Sequence, residues 1–248
     1  MEAIHFSNIS TVIRIILIIN IITIRVEWDM EKISMESNNE QIITNSIFGG
    51  EFVSKRVAYD FLKRAMDVFL CIASSIIGIP IVLIACICVV FESKGFPIYS
   101  QERVGANGKI FRIFKIRSMY KNSEKDGPKI TEIHDRRVTK VGKVIRKTRI
   151  DEIPQLINIL KGDMSIIGPR PEREIFTYQF EEQVPGFVMR LTIRPGLTGL
   201  AQVNGGYEMT PEEKLKYDME YIKNRSISLD IKILFKTVLV VLNGYGAR

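Results

Sequence analysis

The sequence predicts an α+β, mainly helical fold that is membrane-associated through a re-entrant helix-break-helix and amphipathic interfacial helices. Three observations predict it: an uncharged apolar run at residues 68–91, a basic segment behind it that alternates like a strand, and a terminal stretch with helical apolar spacing. The 248 residues, 46% apolar and 25% charged, are enough to bury a core and unlike a disordered chain. A net charge of +7, from 35 Lys and Arg against 28 Asp and Glu, points to anionic partners: phosphates, nucleic acid or an acidic lipid surface.

In chain order, residues 1–56 read as an N-terminal extension, 57–92 as the re-entrant membrane helix, and 93–248 as a globular domain ending in an amphipathic helix. Residues 9–24 (ISTVIRIILIINIITI) are apolar but short and carry Arg14, so they fit an interfacial segment better than a spanning helix; spanning, interfacial and soluble placements stay open. They lack the small-residue cleavage site of a signal peptide. Residues 29–56 are polar, rich in Asn, Ser and Glu, and read as a linker.

Residues 68–91 (VFLCIASSIIGIPIVLIACICVVF) hold no charge, and as a helix would measure about 36 Å against a hydrocarbon core of roughly 30 Å. A buried helix of a soluble protein is rarely so long and so apolar all round. Lys55, Arg56, Lys63 and Arg64 precede the run, and Lys94, Arg103 and Lys109 follow it, whereas a simple spanning helix shows asymmetric flanks. Gly78-Ile79-Pro80 removes a backbone donor and disfavours helical geometry before the proline. A segment that bends there and returns to the side it entered satisfies both observations.

Between residues 101 and 149 there are 15 Lys and Arg against five Asp and Glu, which makes this an anion-facing segment, for lipid headgroups or for bound phosphates. Within it, residues 109–119 (KIFRIFKIRSM) alternate basic and apolar side chains, as a strand does with one face on a core. Near the end, Ile231, Leu234, Phe235, Val238, Leu239 and Leu242 repeat at helical spacing. Packing on the core is the default for that stripe, although Lys232 and Lys236 also permit an interfacial helix.

The three cysteines, Cys71, Cys86 and Cys88, all lie in the apolar run without partners at metal-ligand spacing, and the two histidines, His5 and His134, read as surface residues. Asp151 and Glu152 follow the basic run RKTRI and open a helix with Pro154 in its first turn. Taken alone, two acids there are explained by the helix macrodipole. Their company argues for chemistry. Gly168-Pro169-Arg170-Pro171 and Arg194-Pro195-Gly196 each set an arginine beside rigid turn residues, which is how a phosphate clamp is preset. Gly196, Gly199, Gly205 and Gly206 offer backbone amides to an anion, but no P-loop or dinucleotide fingerprint is present.

Three stretches in this order, 109–119, 146–172 (RKTRIDEIPQLINILKGDMSIIGPRPE) and 194–205 (RPGLTGLAQVNG), resemble the bacterial sugar transferases, also called monotopic phosphoglycosyl transferases. The resemblance covers about residues 59–243. It implies transfer of a sugar 1-phosphate from a UDP-sugar to undecaprenyl phosphate, with release of UMP, as the first membrane step of capsule, exopolysaccharide or related glycan synthesis. It makes Asp151 the nucleophile that carries the phosphosugar and the residue nearest a required Mg²⁺ (or Mn²⁺), and Glu152 its partner in proton handling. Lys115, Arg146, Arg170 and Asp218 fall on positions used for phosphates or for completing the site, and Arg194 joins them as the second turn arginine. It also implies a catalytic domain on the cytoplasmic face of the inner membrane. The expected partners are the UDP-sugar, undecaprenyl phosphate and the lipid bilayer, with no nucleic acid; homo-oligomerisation is left open. The family often has serine where Ile79 stands, and residues 1–55 match nothing in it. A basic membrane-surface scaffold and a pseudoenzyme of a glycan assembly complex are the rival readings.

Overall fold

The computed structural model describes residues 56–121, 123, 127, 135–205 and 209–243. The expectations for residues 9–24 and 29–55, and for His5, His134 and Gly206, lie outside the described residues. Among the described residues, seven α-helices and four short strands follow one another: α1 Val57–Glu92, β1 Ile98–Val104, β2 Ile110–Ile116, α2 Lys140–Lys147, α3 Leu156–Lys161, β3 Ser165–Ile167, α4 Glu174–Gln183, β4 Gly196–Thr198, α5 Leu200–Asn204, α6 Pro211–Asn224 and α7 Ile227–Asn243. Two 3₁₀ segments matter for the site, Ile150–Gln155 before α3 and Phe187–Thr192 before β4. The fold is α+β and mainly helical, with one long apolar helix.

The strand read at 109–119 forms as β2, paired antiparallel with β1. Phe111, Ile113 and Ile116 point into the core, while Arg112 stays outside and pairs with Glu102 at 3.2 Å. Asn158 on α3, fully buried, fixes this hairpin against the helix. Its side chain accepts from the Phe114 amide at 3.2 Å and donates to the Arg112 carbonyl at 2.7 Å. Strands β3 and β4 pair in parallel, and their crossing excludes side chains. A Cβ on Gly196 would stand 2.1 Å from the Gly168 nitrogen, and one on Gly168 would stand 2.5 Å from the Arg194 carbonyl oxygen. Backbone approach, then, is what Gly168, Gly196 and Gly199 provide.

α1 runs as one 36-residue helix with Pro80 inside it, so the chain stays helical across the expected break at Gly78-Ile79-Pro80. Proline deletes a single backbone donor, and the long turns on either side keep the rest of the ladder intact. The helix touches the globular part along its length. Near its start, the Arg64 guanidinium donates to the Leu160 carbonyl at 2.9 Å and so caps the end of α3, where Gly162 takes a left-handed φ of 88°. Asp67, one residue before the apolar run, accepts from the Ile166 amide of β3 at 3.1 Å. Gly78 lies against Ile153 in mid-helix. At the far end the Glu92 carboxylate accepts from the Lys140 and Val141 amides at 2.7 and 2.9 Å, and Thr139 caps Gly142 at 2.8 Å, so α2 starts on the end of α1.

The opposite face of α1 is apolar and exposed, with Phe69, Ile76, Ile77 and Phe91 each at least 69% accessible. α7 adds to that surface. Its stripe does not pack inward as the default reading had it: Ile233 and Leu234 meet the core, whereas Phe235, Val238, Leu239 and Leu242 are exposed. A helix can hide only part of a wide apolar arc against one neighbour. The rest of α7 has the character of an interfacial face.

Because the folded part binds both ends of α1, cysteines introduced at Val57 and Lys94, in a background lacking Cys71, Cys86 and Cys88, should respond alike to an impermeant thiol reagent in spheroplasts. Labelling at only one of the two positions would show a fully crossing helix.

Candidate active site

The 3₁₀ segment Ile150–Gln155 begins after Arg149, whose φ of 57° is left-handed and costly for a residue with a Cβ. It carries Asp151 and Glu152, both 7% accessible. Two adjacent carboxylates in that position need compensation, and the surrounding elements supply it. Lys115 of β2 donates to Glu152 Oε1 at 2.8 Å, and Arg170, in the turn after β3, donates to the same oxygen. Burial raises the Glu152 carboxyl, but Arg170 and Lys115 outweigh it and hold the group well below the usual carboxylate range.

Asp151 is held differently. It faces a cleft of about 750 Å³ that is also lined by Lys115, Arg146 and Arg170, so four of the expected site residues converge there. Burial pushes its carboxyl up to about 6, with the Glu152 charge adding and Lys115, Arg146 and Arg170 opposing. Glu152 stands behind that lining as the anchor of two cations. Lys115 and Arg170 both meet its Oε1 and hold the side chain in place.

Asp218 is not among the lining residues. On α6 it receives Arg190 at 2.9 Å through Nε and 2.6 Å through Nη2, with both side chains almost fully buried, and it is Arg190 that reaches the cleft. Arg194 is absent from the lining too. Its backbone packs at the β3–β4 crossing, so the structure does not bring it to Asp151.

Several cleft residues were not singled out from the sequence. Glu172 accepts from Lys214 at 3.3 Å and lies 3.9 Å from Arg103, repeating the pattern of Glu152 with its two cations. Burial raises Glu172, while Lys214, Arg190 and Arg103 together bring it below its ordinary range. Phe176, Phe180 and Gln202 line the cleft as well. Glu172 closes the stretch 146–172 and Gln202 sits within 194–205, so both lay inside recognised motifs. What was missing was any spacing that ties them to Asp151.

Among the described residues, no group of three or more His, Cys, Asp or Glu could hold a metal ion. Mg²⁺ is commonly held by one or two carboxylates together with substrate phosphates, and Asp151, which lines a cleft roomy enough for a phosphate-bearing substrate, fits that manner of binding.

A cleft of cations anchored by buried acids and lined by Asp151, in a chain that also exposes a long apolar helix, is a site suited to phosphates. The family description "Bacterial sugar transferase" matches residues 58–244, and the chain belongs to that family. It is 46% identical over 193 residues, 77% of this chain, to the UDP-N-acetylgalactosamine-undecaprenyl-phosphate N-acetylgalactosaminephosphotransferase of Aeromonas hydrophila. It is 39% identical over 190 residues, 74% of this chain, to the UDP-glucose:undecaprenyl-phosphate glucose-1-phosphate transferase of Caulobacter vibrioides. It is 37% identical over 202 residues, 75% of this chain, to the UDP-galactose-lipid carrier transferase of Erwinia amylovora. The matched stretches cover 46%, 70% and 42% of those three proteins, so the chain spans under half of two of them.

Two stability outcomes follow from the geometry. Asp151 has its carboxyl raised from 3.8 to about 6 in the folded state, so its charge opposes folding above pH 6 and ceases to do so below about pH 4. In EDTA, Asp151→Asn should therefore melt higher than the parent at pH 7.5, by on the order of 1–3 kcal/mol, and the gain should fade between pH 6 and pH 4. Asp218→Ala, by contrast, leaves the Arg190 charge buried without its partner and should cost about 3–5 kcal/mol in the same thermal assay.

Proposed function

We propose that the chain transfers a sugar 1-phosphate from a UDP-sugar to undecaprenyl phosphate and releases UMP. The observation that carries this reading is the division of labour in the acid pair: Asp151 open to the cationic cleft, Glu152 immobilised behind it. The names of the relatives, which differ in the sugar and agree on a lipid carrier or undecaprenyl phosphate, support it.

In the first half-reaction an Asp151 carboxylate oxygen attacks the β-phosphorus of the donor. The bond from that phosphorus to the bridging oxygen breaks, and UMP leaves with the electron pair. Lys115, Arg146 and Arg170 offset the charge that gathers as an anionic nucleophile meets a diphosphate, and Glu152 fixes two of those cations in advance, so little reorganisation is left to the reaction itself. In the second half-reaction an oxygen of undecaprenyl phosphate attacks the same phosphorus, the acyl phosphate bond breaks, and Asp151 is restored. Mg²⁺, when held by Asp151 and the donor phosphates, would supply Lewis-acid charge stabilisation. The exposed apolar faces of α1 and α7 keep this cleft at the bilayer, where the acceptor resides, with the catalytic domain on the cytoplasmic side.

Detergent-purified protein given a UDP-sugar should release UMP and carry a phosphosugar on Asp151 that undecaprenyl phosphate discharges. Asp151→Asn should abolish both, and EDTA should abolish UMP release. A phosphosugar trapped on another residue would sink the assignment of Asp151, and no turnover with any UDP-hexose, alongside salt-sensitive polyanion binding, would return the chain to a basic scaffold.

A further inference from the structure

Resting on the UDP-sugar reading, we propose that Gln202 recognises the uracil of the donor, its side-chain amide pairing with the imide edge of the base. Gln202 stands on α5 and lines the same cleft as Asp151, Arg170 and Lys115. Both its Oε1 and its Nε2 are buried, and neither finds a hydrogen-bond partner among the described residues. Buried side-chain amides are rarely left in that condition, because an unmet donor or acceptor costs its full desolvation; two on one residue of the cleft lining call for a ligand that brings an acceptor and a donor side by side. Uracil does so. Its N3–H donates to Oε1 while O4 accepts from Nε2, two parallel bonds that hold a planar ring.

The surroundings restrict the choice further. The basic side chains of the lining, Arg103, Lys115, Arg146, Arg170, Arg190 and Lys214, carry charge suited to phosphate oxygens. Gln202 is neutral and suited to a neutral edge. Phe176 and Phe180 line the same cleft and offer aromatic faces to a base, with their ring centroids 6.4 Å apart. The space for the amide is itself shaped by glycine: a Cβ on Gly199 would stand 2.7 Å from Gln202 Oε1. A sugar hydroxyl also donates and accepts, so the experiment must tell base from sugar. UMP, which contains the base and no transferred sugar, makes that separation.

The test uses the full chain in detergent. UMP and CMP are measured as inhibitors of wild type, Gln202→Leu and Gln202→Asn, together with the KM and kcat for a UDP-hexose that wild type accepts. Gln202→Leu should weaken UMP inhibition and raise the donor KM together, by about 10- to 100-fold, should bring the UMP-to-CMP preference close to one, and should leave kcat within about threefold. Gln202→Asn, which withdraws the amide by one methylene, should also lose UMP affinity, and it carries the test should the leucine variant fail to fold. Unchanged UMP inhibition in both variants, with an altered donor KM or hexose preference, overturns the assignment and places the amide on the sugar. A fall in kcat alone, with UMP and CMP inhibition intact, overturns it as well. Wild-type protein that neither releases UMP nor is inhibited by it fails the donor reading itself, which is a different result from a wild type that does both while the Gln202 variants behave like it.

Discussion

Two consecutive carboxylates, both buried, cannot be held in a folded chain without cations delivered from outside their own segment. That requirement organises the globular part of this protein. Lys115 comes from β2 and Arg170 from the turn after β3, and both end on one oxygen of Glu152. For Lys115 to arrive, the β1–β2 hairpin must be clamped to α3, which Asn158 does through two backbone bonds. For Arg170 to arrive, the chain after β3 must pass close to β4, which three glycines allow. The same device recurs with Glu172 between Lys214 and Arg103, and with Asp218 behind Arg190. Acids beneath the cleft thus set the positions of the cations that line it. A surface of long basic side chains becomes a fixed electrostatic template.

The membrane helix belongs to this arrangement and is not an appended anchor. Its polar contacts bracket the apolar run: Arg64 and Asp67 just before it, Glu92 just after it, each bonded to a backbone end or edge in the globular part. Glu92 matters for the site because α2, whose first amides it receives, carries Arg146 into the cleft. The end of the apolar helix and the position of a cleft cation are therefore joined through α2. The outer faces of α1 and α7 stay apolar and exposed.

Much of this was legible in the sequence, in proportion to how local the physics is. β2 was readable because alternation reports one buried face, and α7 because its spacing reports a helix; which part of the α7 stripe faces the core was not, since that depends on how much surface the neighbours can cover. At Gly78-Ile79-Pro80 the chain stays helical, because one missing donor does not end a helix with long regular turns on both sides. The acid pair and Arg170 were legible through their motifs. Arg190 was not: nothing in its own neighbourhood distinguishes it, and its significance comes from Asp218, 28 residues later on another helix. Arg194 illustrates the converse, a turn arginine whose backbone, not its charge, has the evident structural part.

Why the two acids differ, although adjacent, comes down to backbone form. In a 3₁₀ segment successive side chains are set about 120° apart, so residues 151 and 152 cannot share a direction. One must face the cleft when the other faces its wall. The left-handed turn at Arg149 sets the phase of that segment, and a non-glycine residue held there stores strain that the surrounding packing must sustain. Shifting the phase by one residue would present Glu152 to the cleft and drive Asp151 toward Lys115 and Arg170 with a side chain one methylene shorter. What separates the two acids is therefore the turn that directs one to the cleft and leaves the other to hold the cations still.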